Sequence, residues 1–185
     1  HYPLRRQRQM CIRDSDYILL HIKGGVKLIN FKDVKITDAK KLANFRMSLI
    51  NNTHSHYGAK NKQQLEKIKN SFEKWIQDHL NSNEVYFVMS EDENKDIISM
   101  GIGIIDTRAP IVGALNGKSG WISSLIVHPK YRGQGLGKET LNHLINWFTS
   151  NNISKVVLHS TPEGETLYKS SGFTKDSENI FIKNI

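Results

Sequence analysis

Cysteine is nearly missing from this chain. Cys11 stands alone among 185 residues, so no disulfide can form within the chain and no cysteine-based structural zinc site can be built. A reducing, cytoplasmic setting fits that scarcity. Long apolar runs are missing too: nothing approaches the ~18 uninterrupted apolar residues that a membrane-spanning helix requires, so no membrane association is expected. No internal repeat and no low-complexity tract is found, which removes solenoid architectures. What remains is 38% hydrophobic and 24% charged, apolar enough to bury a substantial interior and too apolar for a disordered tail. A chain of this length is expected to fold around one core.

The formal charge of +8 suits nucleic acid, a membrane surface or an anionic small ligand. It is unevenly placed. Residues 1–25 hold Arg5, Arg6, Arg8, Arg13 and Lys23 against Asp14 and Asp16, leaving +5 for the remainder. No aromatic-basic interleaving accompanies the charge, so nucleic acid is not expected as a partner. The opening HYPLRRQRQMCIRDSDYILLHIKGG has no apolar periodicity and no long apolar stretch after its arginines, so it is no signal peptide. It reads as a non-native or disordered leader over 1–25, with the domain running over 26–185.

From Val26 the sequence alternates in type. VKLINF reads as a strand, and Thr37 or Asp38 caps a helix carrying Leu42, Phe45 and Leu49. After a polar loop over 51–61, Leu65, Ile68, Phe72, Trp75, Ile76 and Leu80 mark a second amphipathic helix. VYFVMS and IISMGIGII flank the charged turn EDENKD as an antiparallel pair, and WISSLIV is a further strand. Leu141, Leu144, Ile145 and Phe148 recur at helical spacing on a helix closing near Asn151 and Asn152. KVVLH is a short strand, Thr161 to Ser171 a brief helix, and FTKDSENIFIKN a final strand pair. The fold class is α/β (α+β).

The chemically informative stretch is Val127-His128-Pro129-Lys130-Tyr131-Arg132-Gly133-Gln134-Gly135-Leu136-Gly137-Lys138, set between an apolar strand and an amphipathic helix. Three alternate glycines expose backbone N–H groups, and the following helix presents its positive dipole end. Such a place binds phosphate, and Arg132 and Lys138 add positive charge. The alternative is a glycine turn that lets helix and strand pack closely. A Walker loop is excluded, because only three residues separate Gly133 from Gly137-Lys138 and Glu139 stands where a hydroxyl is needed. A dinucleotide fingerprint is excluded as well, since Lys138 holds the place of its third glycine and the next strand ends in Leu158-His159.

Arg132-Gly133-Gln134-Gly135-Leu136-Gly137 resembles the acetyl-CoA loop of the GCN5-related N-acetyltransferase (GNAT) superfamily, and Leu167-Tyr168-Lys169-Ser170-Ser171-Gly172-Phe173 resembles its LYxxxGF segment. The resemblance implies a mixed, mostly antiparallel twisted sheet of about six or seven strands, flanked by helices and splayed at its central parallel pair. It implies acetyl-CoA as acyl donor, with the loop Arg132, Gly133, Gln134, Gly135, Leu136, Gly137 and Lys138 on the pyrophosphate. It also implies that Leu125, Ile126 and Val127 pair with the pantetheine amides, with the Ile126 N–H polarising the thioester carbonyl.

By the same resemblance Tyr168 protonates the departing thiolate; on its own the residue reads rather as a core tyrosine whose hydroxyl caps a backbone group, and the LYxxxGF context reverses that reading. Many relatives carry a glutamate on the strand before the loop, but here the stretch is Trp121-Ile122-Ser123-Ser124. Ser123 or Ser124 holding a water is one route for the acceptor's proton; Glu84, Asp106, His159 and Glu165 are more remote bases. His54 and His56 lack a third ligand, so no metal is expected. Phe72 and Trp75 read as helix core.

The expected activity is direct transfer of acetyl from acetyl-CoA to a primary amine in a ternary complex, the acceptor a small amine or amino-acid-like metabolite and the protein a monomer or homodimer. Acetylation of a protein terminus or lysine, and a catalytically inactive acyl-CoA-binding module, are the alternatives.

Overall fold

The computed structural model describes residues 15–22, 25–50, 59–177 and 183. Six strands form one sheet in sequential order: β1 (Ser15–Ile22), β2 (Gly25–Asp33), β3 (Val85–Glu91), β4 (Ile97–Thr107), β5 (Lys118–Val127) and β6 (Val156–Leu158). Every neighbouring pair is antiparallel except β5 and β6, which run parallel. Helices α1 (Ala39–Ile50) and α2 (Lys62–His79) follow β2, α3 (Leu136–Ser150) crosses from β5 to β6, and α4 (Glu165–Ser170) follows β6. The mixed sheet flanked by helices matches the fold class that the sequence implied.

The fold begins earlier than the sequence suggested. Ser15–Ile22, inside the stretch set aside as a leader, pairs along its length with Gly25–Lys32. Its alternation explains the pairing: Ile18 and Leu20 pack against a core while Tyr17 and Leu19 remain exposed, a period-two pattern that an arginine-rich context conceals. His54 and His56 lie outside the described residues. So does most of the expected final strand pair, and residues 173–177 carry no strand.

Two cores lie on opposite faces of the sheet. One joins Leu42, Phe72 and Ile76 of α1 and α2 to Phe87, Met89, Met100 and Ile102 of the sheet. The other joins Leu136, Leu141, Leu144 and Phe148 of α3 to Ile29, Phe31, Val88 and Ile122. The predicted helical stripe is therefore the buried face of α3. Full burial of side chains such as Leu144 and Phe148 contributes about 1.5–3 kcal/mol each. Helix α3 sits low on the sheet because glycine lies beneath it: a Cβ on Gly120 would fall 2.7 Å from the Phe148 ring, and one on Gly101 3.0 Å from Leu144.

Local caps set the helix starts. Asn61 Oδ1 accepts the Gln64 amide at 2.8 Å at the head of α2, satisfying one of that end's unpaired donors. Before α1, Asp38 Oδ2 accepts the Lys35 amide at 3.0 Å and closes a 3-10 turn over Ile36–Asp38.

Candidate active site

The parallel pairing of β5 with β6 covers only Gly120–Ile122 against Val156–Leu158. From Ser123 to Val127, β5 keeps its partner β4 but has no neighbour among the described residues on its other side. A gap opens there, as the implied splay requires. Its first residue on β5 is a bulge: Ile102 pairs with Ser124 and Gly103 with Ile122, leaving Ser123 as the extra residue. Bulges re-aim the side chains and peptide groups that follow.

The ladder decides which peptide groups face the gap. His128 donates its N–H to Ile98 O at 2.8 Å, and Val127 is registered opposite Ser99. Antiparallel strands alternate between bonded and non-bonded pairs, so Ile126 turns its amide toward β4, and Leu125 and Val127 turn theirs outward. The polarising amide expected at Ile126 is thus directed into the sheet, and the outward amides belong to its two neighbours. Arg132 already occupies one outward group, its Nε donating to Val127 O at 3.1 Å.

Beyond β5 the chain makes a 3-10 turn over Pro129–Tyr131 and enters the glycine loop. Tyr131 donates its hydroxyl to Asp92 Oδ2 at 2.9 Å, tying the turn to the hairpin between β3 and β4. Burial and the Asp92 carboxylate together push this phenol above its ordinary range. Gln134 Nε2 donates to Lys130 O at 2.8 Å, closing the loop on itself. Gly133 and Gly135 take φ of +69° and +87°, left-handed values that a side chain would strain.

The amides of Tyr131, Arg132, Lys138 and Glu139 bond to loop or helix-start carbonyls. Those of Gly133, Gly135, Leu136 and Gly137 meet no backbone acceptor among the described residues. Four donors at the positive end of α3 therefore remain for an anion, and the exposed Arg132 and Lys138 flank them. Gly137 faces the core beneath without crowding it: a Cβ there would lie in ordinary contact, 3.4 Å from Leu167 and 3.5 Å from Val127.

A buried hydroxyl chain fixes the first turn of α3. Thr140 Oγ1 donates to Leu136 O at 2.9 Å, Ser99 Oγ lies 2.8 Å from Thr140 Oγ1, and Ser90 Oγ lies 2.6 Å from Ser99 Oγ. Because the Thr140 proton is committed to Leu136, Ser99 donates to Thr140 and Ser90 to Ser99. All three side chains are buried. No sequence signal announces this chain, whose members come from β3, β4 and α3.

Tyr168 sits on α4, packed against the same core as α3. Phe173 N–H donates to Tyr168 O at 3.0 Å and Gly172 N–H to Lys169 O at 3.2 Å, with Gly172 at φ +86°. This is a Schellman stop, and the Phe173 ring against Tyr168 is its usual apolar companion. The LYxxxGF spacing is therefore the spacing of a helix terminus. The Tyr168 hydroxyl has no hydrogen-bond partner among the described residues, so the backbone-capping alternative has no support there. Burial pushes the phenol above its ordinary range.

The proposed bases separate by position. Asp106 is ion-paired to Arg108 and lies across from Ser119, at the end of β4 remote from the glycine loop. Glu165 pairs with Lys169 at 2.7 Å, and that hydrogen bond and charge hold its carboxyl below the usual range. Glu84 precedes β3 and is exposed at that same remote end, where its carbonyl accepts the Ile105 amide. His159 follows β6 directly, one residue past the last parallel pair, and its ring meets Trp121 edge to face at 4.7 Å. Ser123 is exposed and Ser124 half-buried on the adjoining stretch of β5. An open pocket of about 220 Å³ between Asp33, Tyr86 and Trp147 lies at the far end of β3 and shares no residue with this region. Among the described residues no group of three metal-ligating side chains is found, and no helix is long and apolar enough to cross a membrane.

Residues 49–173 match the Acetyltransferase (GNAT) family. An uncharacterized N-acetyltransferase, ycf52, of Pyropia yezoensis is 31% identical over 93 residues, covering 48% of this chain and 53% of that protein. Its namesake in Porphyra purpurea is 32% identical over 65 residues, covering 35% and 37%. The chain thus spans about half the length, or less, of the curated relatives it matches. A GCN5-related N-acetyltransferase from Ralstonia eutropha superposes with a TM-score of 0.71 at 21% identity, over 85% of this chain and 98% of that one. A predicted acetyltransferase with acetyl-CoA from Clostridium acetobutylicum gives 0.69 at 20% identity, over 84% and 96%.

Proposed function

Since the chain belongs to the acetyltransferase (GNAT) family, we propose that it moves an acetyl group from acetyl-CoA to a primary amine by direct attack in a ternary complex, without a covalent enzyme intermediate. One observation carries the reading: among the described residues, four unspent loop amides stand beside a strand whose outer edge has no neighbour. The first feature suits a diphosphate, and the second suits an arm bearing amides that adds to the sheet like a strand.

The parts divide the work. The loop from Arg132 to Lys138 holds the pyrophosphate. The outward groups of Leu125 and Val127 align the pantetheine arm, and the Leu125 amide takes over the polarising role the sequence assigned to Ile126. Such a contact is worth about 3 kcal/mol in other acyl-transfer enzymes. Tyr168, kept neutral by burial, supplies the proton that the departing thiolate needs. Ser123 and Ser124 line the bulge beside the gap and hold water there. The acceptor is a small amine, and the reaction proceeds in the cytoplasm.

Calorimetric titration with acetyl-CoA, followed by measurement of free thiol across a panel of amines, tests this. Binding with amine-dependent thiol release is expected. Binding without turnover would favour an inactive acyl-CoA-binding module, and no binding at all would remove the loop assignment.

A further inference from the structure

The two faces of the gap carry different chemistry. Trp121 is registered with Ile104 on one side and Val157 on the other, and Ile104 packs against the core under α1 and α2. Trp121 therefore points to the face opposite α3 and Tyr168. It belongs to neither core, and among the described residues its ring contact is His159. His159 is exposed, and Val157, on the same face, is 36% exposed. A half-buried tryptophan outside both cores, bordered by an exposed imidazole where two strands part, leaves aromatic surface that packing does not use.

We propose that Trp121 and His159 form the acceptor site, in which the indole binds the ammonium of a monoamine with an apolar or aromatic body and His159 takes the proton that frees it for attack. This rests on the acetyl-transfer reading above and supplies what β5 lacks, a base at Ser123-Ser124. Aromatic rings attract ammonium without a carboxylate, and imidazole is the side chain suited to accept a proton near neutrality. Asp106 and Glu165 are already engaged, by Arg108 and Lys169 respectively. Among the described residues no group of three acidic, histidine or cysteine side chains gathers, so a polycation meets no clustered negative charge, while Trp121 and Val157 offer apolar area.

The protons balance. One leaves the ammonium for His159 and passes to water. The amine lone pair then bonds to the thioester carbon, and the carbon–sulfur bond breaks. The Tyr168 hydroxyl proton goes to sulfur, and the second nitrogen proton restores the phenol.

The test compares 2-phenylethylamine with spermine in the wild type, Trp121→Leu and His159→Ala, monitoring thiol release and acetyl-CoA affinity. In the wild type, kcat/KM for 2-phenylethylamine should exceed that for spermine at least tenfold. Trp121→Leu should raise KM for 2-phenylethylamine about tenfold with kcat nearly unchanged. His159→Ala should lower kcat about a hundredfold, with partial recovery on adding free imidazole, which a structural histidine would not show. Acetyl-CoA affinity should stay at the wild-type value in both variants, marking them as folded; His159→Gln serves if His159→Ala loses it. Preference for spermine, acetyl-CoA binding without turnover of 2-phenylethylamine, or wild-type kinetics in either variant would overturn the proposal. Failure of the wild type to bind acetyl-CoA would instead overturn the transfer reading beneath it.

Discussion

Phe173 holds Tyr168 twice, by a backbone hydrogen bond of 3.0 Å to its carbonyl and by an edge-to-face ring contact at 5.8 Å. Both contacts depend on Gly172, whose φ of +86° turns the chain back at the end of α4. The proposed proton donor is therefore positioned by the way its helix ends.

Gly172→Ala tests that dependence. Nothing lies within 4 Å of the added Cβ, so the cost is conformational, about 1–2 kcal/mol for a left-handed alanine. Thermal unfolding should report that loss. Thiol release should fall by more than acetyl-CoA affinity, because the substitution loosens Tyr168 and leaves the loop intact.

Tyr168→Phe should lower kcat about a hundredfold with acetyl-CoA affinity almost unchanged. The same phenol is linked to stability. Burial raises its folded-state pKa, so in the window above the ordinary tyrosine value of about 10 the unfolded chain loses the proton before the folded one does. That contribution is complete below pH ~10 and is lost as pH rises through the folded value. The melting temperature should drop above pH ~10, less steeply in Tyr168→Phe; Tyr131, also raised, accounts for part of what remains. Equal slopes would contradict the buried phenol.

Gly135→Glu places a carboxylate among the unspent amides and forces a side chain to φ +87°. Acetyl-CoA affinity measured by calorimetry should fall more than a hundredfold. Unchanged affinity would show that the loop does not hold the phosphates.

Thr140→Val removes the last hydroxyl of the chain, the one bonded to the Leu136 carbonyl, and leaves the Ser99 donor without its acceptor. Stability should fall by about 1–3 kcal/mol. Because Thr140 anchors the Leu136 carbonyl at the start of α3, KM for acetyl-CoA should rise more than kcat falls, and Thr140→Ser should recover most of both.

The parts of the site readable in the sequence were those set by backbone geometry over short distances. Gly133, Gly135 and Gly172 are placed where left-handed turns demand them, and the Tyr168-to-Phe173 spacing follows from a helix stop. The stripe of Leu141, Leu144 and Phe148 was legible because one helix face repeats every few residues. What escaped depends on residues far apart in the chain. Strand β1 gains its meaning only from its pairing with β2. The outward direction of Leu125 rather than Ile126 follows from register against β4, fixed by the Ser99–Val127 pairing. Ser90, Ser99 and Thr140 become a chain only when three elements are brought together.

The parallel pairing at Gly120–Ile122 is short enough to matter beyond the site. Among the described residues it is the one seam joining the sheet to β6, which leads into α4 and Tyr168, whereas β4 and β5 are stitched along most of their lengths. A guest lying along the bare edge of β5 would lengthen that seam, so occupancy by one substrate would itself firm the mounting of the residue that completes the other's conversion.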